Sequence, residues 1–419
     1  MKSKTQQSRP WLLVAAYDVS LGETSEGYVA FNILRRLVGT HRVIVVTRRN
    51  NRDRLIAHPD FREACKGVRV LGFDLPLWAS WWKRGARFYG LYAYLWQLAW
   101  PLVLRRRTRL CNGIGLIHVL NFHNDSIPTS AWAMGKPVIW GPVNHHELVP
   151  RWRRAFWPTA SAIKHSAMFY LRSLLWRFDP LLWTSKRMAS VILSAGPWVD
   201  RRLGIEGSDK VIRLSQLGVD AAAFTMPPVS QQLQRNTDEK LLVYAGRLDW
   251  LKGVDLAIEA LAQLPKGFRL LVVGKGPTEK KLKCLVEQLG LVERVIFRPP
   301  VPQSELAKIY ASADLFLFTS PEVAGLAWIE ALACGLPVAG FAGNTEITLS
   351  GGKLPGVYLS HPADDRAGGI RHYAEVIAHA TSEPHDRNAI RIATLSRYGW
   401  DRLVGAILAS YTKARGALQ

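Results

Sequence analysis

Two carboxylates, Glu322 and Glu330, have seven residues between them, Gly325 and Leu326 included, in the string SPEVAGLAWIEALACGLPV. Carboxylates accept hydrogen bonds from sugar hydroxyls, and a helix that starts behind Gly325 turns its free backbone N–H groups toward an anion. Two cations, Arg247 and Lys252, stand earlier in AGRLDWLKGVD. Negative charge develops on a nucleoside diphosphate as the glycosidic bond to it breaks. Two cations beside a helix start are an arrangement that stabilises such a leaving group.

These residues need elements to hold them. Leu315 to Phe318 is an apolar run that reads as a buried parallel strand, and Ala327 to Cys334 reads as a helix with Gly335 as its left-handed stop and Pro337 beyond. Glu322 then lies in the loop at a strand's carboxyl end and Glu330 within the helix, where open α/β sheets bind ligands. Upstream, LLVYAG, FRLLVVG and VIFRPPV alternate with helices through Leu256 to Leu264, Glu279 to Leu289 and Ser304 to Ala311. That rhythm predicts a doubly wound parallel domain, with Arg247 and Lys252 between a strand end and a helix start. The string VGKGP, Gly274 to Pro277, imitates a dinucleotide fingerprint but has Glu279 at the position of the third glycine, so it is weak evidence for NAD.

The N-terminal half begins the same way. WLLVAA is a strand, GETSEGYVAFNILRRLV a loop turning into a helix from about Gly27, and His41 to Thr47 a second strand. Gly22 and Gly27 bracket the loop, which would meet a phosphate through backbone N–H groups. Phe88 to Leu104 is apolar but contains Gln97 and Pro101, and falls short of the ~20 apolar residues of a membrane span, so a core helix is expected. Strands follow at Leu116 to Leu120, Lys136 to Trp140, Val191 to Ala195 and Val211 to Leu217, and His118, inside an apolar strand, reads as a core histidine. The polar, proline-paired stretch Thr225 to Lys240 reads as a linker, and RYGWDRLVGAILASYTKA as a closing helix.

A chain of 419 residues is long enough for two α/β domains without disulfide staples. Cys65, Cys111, Cys284 and Cys334 are scattered and read as reduced thiols, with no metal-ligand spacing. The basic start is followed by an apolar stretch, Trp11 to Ala16, that is too short for an export signal. The net charge of +22 is unevenly spread: no acid occurs between Asp74 and Asp125 or between Glu147 and Asp179. Such a field can face nucleic acid, an anionic membrane or a phosphorylated substrate, and the charge alone does not choose.

The string from Ser320 to Val338 resembles the Glu, seven residues, Glu signature of glycosyltransferase family 4, the retaining enzymes of the GT-B fold. Gly246 with Arg247, and Lys252 with Gly253, match that family's Gly-Arg and Lys-Gly positions. LGVDAAAF resembles its interdomain crossing, and Gly343 to Glu346 its Gly-Gly-x-x-Glu turn, with Asn344 for the second glycine. The Gly-Pro-Val of GPVNHHELVP matches a loop in one subgroup, with Asn144, His145 and His146 replacing glycines. The resemblance implies two facing Rossmann-like domains with a cleft between them: residues 1–222 for the acceptor, 223–395 for the nucleotide sugar, and 396–419 as a helix returning to the first. It implies transfer of a sugar from a nucleotide sugar to an acceptor hydroxyl with retention, a hexosyltransferase-type reaction (EC 2.4). Glu322 would sit against the donor sugar and Glu330 against the ribose. Arg247 and Lys252 would sit on the phosphates, with Gly246, Gly325 and Leu326 beside them, and His145, then His146, against the donor sugar.

No protein nucleophile and no cofactor beyond the donor as co-substrate are implied. The absence of any Asp-x-Asp fits metal-independent chemistry. Trp81, Trp82, Lys83, Arg84, Arg87 and Arg151 to Arg154 put rings beside cations, which suits an anionic membrane surface and a glycan or lipid-linked glycan acceptor of surface polysaccharide assembly. The enzyme is then expected on the cytoplasmic face of the plasma membrane, with its oligomeric state open. A GT-B glycoside phosphorylase or a nucleotide-sugar epimerase would share the phosphate cations. A nucleic-acid-binding protein would explain the charge but leaves the Glu pair idle, and a non-catalytic scaffold would keep only the fold.

Overall fold

The computed structural model describes residues 10–416 apart from 23–24, 84, 86–87, 108–110, 121–123, 146, 225–238, 323–324 and 344. The chain divides into two units. One comprises Met1–His146, Tyr170–Gln216 and Trp400–Gln419, the other Glu147–Phe169 and Leu217–Gly399.

The first unit is built on seven parallel strands: β1 (Trp11–Ala16), β2 (Val43–Thr47), β3 (Arg69–Gly72), β4 (Ile114–Leu120), β5 (Val138–Val143), β6 (Val191–Ser194) and β7 (Val211–Arg213). Their order is β3-β2-β1-β4-β5-β6-β7. The central strands are buried almost throughout, as expected of a parallel sheet covered on both faces. One face is covered by the helices Ser25–Leu37 and Trp400–Gly416, through Ile33, Leu37, Trp400, Ile407 and Tyr411 among others. His118 is a core histidine: its Nε2 donates to the Gly141 carbonyl at 2.7 Å and its Nδ1 accepts from the Tyr411 hydroxyl at 2.7 Å. Burial pushes its pKa down to about 4, although the carbonyl partner acts the other way.

The apolar run near Phe88 is the helix Tyr89–Arg105. Its Tyr92, Trp96 and Trp100 face inward while Leu91, Leu102 and Val103 are exposed. Among the described residues no helix is long and apolar enough to cross a membrane.

The second unit holds six parallel strands: β8 (Lys240–Ala245), β9 (Phe268–Val273), β10 (Val295–Arg298), β11 (Leu315–Phe318), β12 (Val338–Phe341) and β13 (Val357–Ser360), in the order β10-β9-β8-β11-β12-β13. The strand order reverses between β8 and β11, which are paired side by side. That is a topological switch point, where the loops at the carboxyl ends of two neighbouring strands part and leave a crevice. The expected linker at Thr225 to Lys240 lies outside the described residues as far as 238.

The segment Glu147–Phe169 follows a strand of the first unit in sequence but packs within the second. Trp152 and Phe156 lie against that unit's core, and Trp157 is buried. Of the expected membrane-facing set, Arg153 is therefore buried and Trp152 half-buried against that core. Arg84 and Arg87 lie outside the described residues.

Candidate active site

The switch point of the second unit gathers most of the residues singled out above. β8 ends at Ala245 and hands over to Gly246, whose φ of 153° lies in the region that favours glycine. The turn carrying VGKGP fits against this loop. A Cβ on Gly274 would stand 1.9 Å from the Gly246 carbonyl oxygen, and one on Gly276 would stand 2.1 Å from that of Leu248. These glycines therefore permit backbone-to-backbone contact, which explains the motif without a dinucleotide.

Arg247 projects outward with its side chain 72% exposed, steered by Asp249, whose Oδ2 accepts from Nε at 2.7 Å. Asp249 is buried and also caps the short turn Trp250–Lys252 by accepting from the Leu251 N–H at 2.9 Å. Tyr244 donates its hydroxyl to the Arg247 carbonyl at 3.1 Å, and burial holds that phenol far above its ordinary range. Asp249 and Tyr244, which hold this loop, were not singled out in the sequence. Asp249 lay in plain view in AGRLDWLKG, but a carboxylate two residues from an arginine carries no sign of its direction.

β11 ends at Phe318 and leads through Thr319 and Ser320 to Glu322. The Glu322 carboxylate accepts from the Lys252 ammonium, with both side chains largely shielded. Two motifs about 70 positions apart in sequence thus meet in one ion pair. Thr319 Oγ1 donates to the Lys252 carbonyl at 2.8 Å and fixes the two loops to each other.

Gly325 precedes the helix Leu326–Ala333, and a Cβ there would stand 2.7 Å from the Phe318 ring. Leu326 opens the helix and Glu330 lies within it, while Trp328, Ile329 and Leu332 are buried in the core. Burial pushes the Glu330 carboxyl up to about 7, although the residue as a whole keeps an intermediate exposure.

The remaining candidates belong to the first unit. Gly22 is exposed after β1, and Gly27 lies inside the helix Ser25–Leu37 rather than at its threshold. His145 follows β5, but its side chain is wholly buried. Its Nδ1 stands 3.3 Å from the equally buried Asp125 Oδ1, and its ring lies 4.7 Å from that of Trp176. In this conformation His145 presents no surface to a ligand. Asp125 gave no sign in the sequence of being its partner. His146 lies outside the described residues. Among the described residues no group of three or more His, Cys, Asp and Glu side chains is placed to hold a metal ion.

The two doubly wound parallel sheets are those of the GT-B fold. Solved structures share it over nearly the whole chain. The Anabaena protein HepE in complex with UDP and glucose aligns with a TM-score of 0.60 at 17% identity, covering 96% of this chain and 100% of that one. Sucrose-phosphate synthase from Thermosynechococcus elongatus aligns with a TM-score of 0.65 at 18% identity, covering 98% and 100%. In sequence, residues 226–347 match the profile of the glycosyl transferases group 1. That span contains Arg247, Lys252, Glu322 and Glu330. The D-inositol 3-phosphate glycosyltransferase of Mycolicibacterium smegmatis is 33% identical over 210 residues, which are 47% of this chain and 46% of that protein. The chain thus spans about half the length of the curated relatives it matches.

Proposed function

We propose that this protein is a retaining glycosyltransferase that moves a sugar from a nucleotide sugar to an acceptor hydroxyl, with the donor held by the second unit. The observation that carries the reading is the meeting of Lys252, Glu322 and the start of the helix Leu326–Ala333 at the β8/β11 switch point, with Arg247 on the same loop as Lys252. Lys252 and Arg247 take the diphosphate and stabilise the charge it gains as the glycosidic bond breaks. Glu322, released from Lys252 when phosphate arrives, accepts from hydroxyls of the donor sugar. Glu330 accepts from the ribose. The cations supply the charge that a divalent ion supplies elsewhere, so the reaction proceeds without one.

The acceptor in this reading carries phosphate, as a lipid-linked glycan does, and is bound on the inner face of the plasma membrane. Leu77, Trp78 and Trp81 support membrane docking, being 87%, 80% and 74% exposed on the first unit. A surface depression of about 470 Å³ in the second unit, lined by Arg151, Arg154, Ile163 and Ser166 among others, has the chemistry for a phosphate next to an apolar chain. The relatives' named substrate, inositol phosphate, is also anionic.

Thermal-shift titration with UDP, GDP and ADP, with and without the sugar, tests the donor assignment. A ligand at a hundred times its dissociation constant stabilises by about 2.7 kcal/mol, and activity with that donor persists in EDTA. If none of the three diphosphates raises the melting temperature, the donor assignment fails.

A further inference from the structure

Arg153 is the buried charge that this reading leaves unused. It sits in the turn Arg151–Arg154, within the segment Glu147–Phe169 that packs into the second unit. The residue is 9% exposed, and its guanidinium lies 4.5 Å from the centre of the Phe341 ring at the end of β12. Among the described residues its Nε has no hydrogen-bond partner. Asp255, which acts on it electrostatically, is itself bonded to Arg366 at 2.7 Å. A buried cation with no carboxylate of its own is destabilising, and an apolar side chain of similar length would fill the space at less cost. What distinguishes arginine here is the hydrogen bond it makes: Arg153 donates to the Thr319 carbonyl.

Thr319 is the junction of the candidate site. Its hydroxyl donates to the Lys252 carbonyl at 2.8 Å, and a Cβ on Gly253 would stand 2.9 Å from its carbonyl oxygen. The same segment also touches the Lys252 loop directly, where the Trp157 ring lies 4.6 Å from that of Trp250. Its own seat is firm: Arg366 donates to the Trp152 carbonyl at 3.2 Å, and a Cβ on Gly369 would stand 2.7 Å from the Trp152 ring.

We propose that Arg153 is a positioning residue of the donor site. It pins the Thr319 carbonyl, and through Thr319 it sets the spacing between the loop that carries Lys252 and the loop that carries Glu322. The ligand it serves is the nucleoside diphosphate of the reading above, on which this inference rests. Sequence alone could not have found it, because the segment reads as an alternation of rings and cations with no indication of where it packs.

Arg153→Met keeps the length and the contact with Phe341 and removes the donor. In the ligand-free protein the variant should melt within about 3 °C of the wild type. Hydrogen exchange at Leu251–Leu256 and Ser320–Glu322 should nevertheless quicken several-fold. The dissociation constant for whichever of UDP, GDP or ADP the wild type binds should rise about tenfold, with the parent nucleoside unaffected. Arg153→Lys, which can still donate to the carbonyl, should restore most of both. Unchanged exchange in a folded Arg153→Met protein overturns the inference. If the methionine variant does not fold, Arg153→Gln is judged by the same two outcomes. A wild-type protein that binds none of the three diphosphates counts against the donor reading instead, and the exchange comparison still decides whether Arg153 braces the loops.

Discussion

Lys252 is already held by the Glu322 carboxylate, so under the proposed function a diphosphate has to compete for it. On the proposed assignment Lys252→Ala removes a phosphate partner and also leaves Glu322 unpaired. It should raise the dissociation constant of the nucleoside diphosphate at least tenfold while the nucleoside binds as before, which isothermal titration of both ligands would show. Glu322→Gln frees Lys252 but weakens the grip on sugar hydroxyls, so turnover should fall far more than diphosphate affinity. Equal losses in both measurements would sink that assignment. Glu330 carries a pH signature. Its folded pKa of about 7 is raised above the ordinary 4.5, so its burial is costless below pH 4.5, and the penalty grows to a plateau once pH passes 7. Glu330→Gln should therefore raise the melting temperature at pH 8, by the equivalent of about 2 kcal/mol once partial exposure is allowed for, and change little at pH 4.5. If the ionised carboxylate accepts from the ribose, binding near pH 7 should release a fraction of a proton, and buffers of different ionisation enthalpy should show that release vanish in Glu330→Gln. The Glu pair and the Arg247 and Lys252 motif were legible because each is a short string with its own loop signals. Asp125, Asp249 and Arg153 were not, since a polar side chain's role depends on a partner brought to it by the fold.

At the scale of elements, the strands were read well wherever four or more apolar residues ran together between turn residues. β1, β4, β6, β8, β9 and β11 all begin within two residues of their expected starts. β3 and β13 were not seen, because each is only four residues long and half-exposed along most of its length. β7 ends at Arg213, well before the expected Leu217, where the chain leaves the first unit. The VGKGP turn was noticed for the wrong reason. Its glycines seat the Arg247 loop, and Gly274 also has a φ of 155°. Gly274→Ala must push the Gly246 carbonyl away, so urea unfolding should show a loss on the order of 2–4 kcal/mol. A loss below 0.5 kcal/mol would mean that the two loops are not in contact in solution.

The uneven spread of positive charge along the chain, and the membrane prediction drawn from it, are matters of the whole-molecule scale. Flotation with liposomes should need anionic lipid and should weaken as salt rises, because exposed charges are screened within about a Debye length. Trp78→Ala with Trp81→Ala should lower binding several-fold, whereas Trp152→Ala should act on stability and not on attachment, its ring being seated on Gly369 and Phe341. No binding to anionic or neutral vesicles would remove the membrane claim and leave the proposed transfer reaction untouched.

The path of the chain bears on its synthesis. The chain changes unit after residues 146, 169, 216 and 399. The helix Trp400–Gly416 completes the core of the first unit through Trp400, Leu403, Ile407 and Tyr411, and Tyr411 is the hydrogen-bond partner of buried His118. During translation, then, the half that is started first is finished last. Its sheet emerges from the ribosome with the part of one face that this helix covers left open, and stays so while the rest of the second unit is made. A nascent chain stalled before residue 400 should hold a second unit that resists protease beside a first unit that is cut. Adding the remaining residues should close the gap in one step.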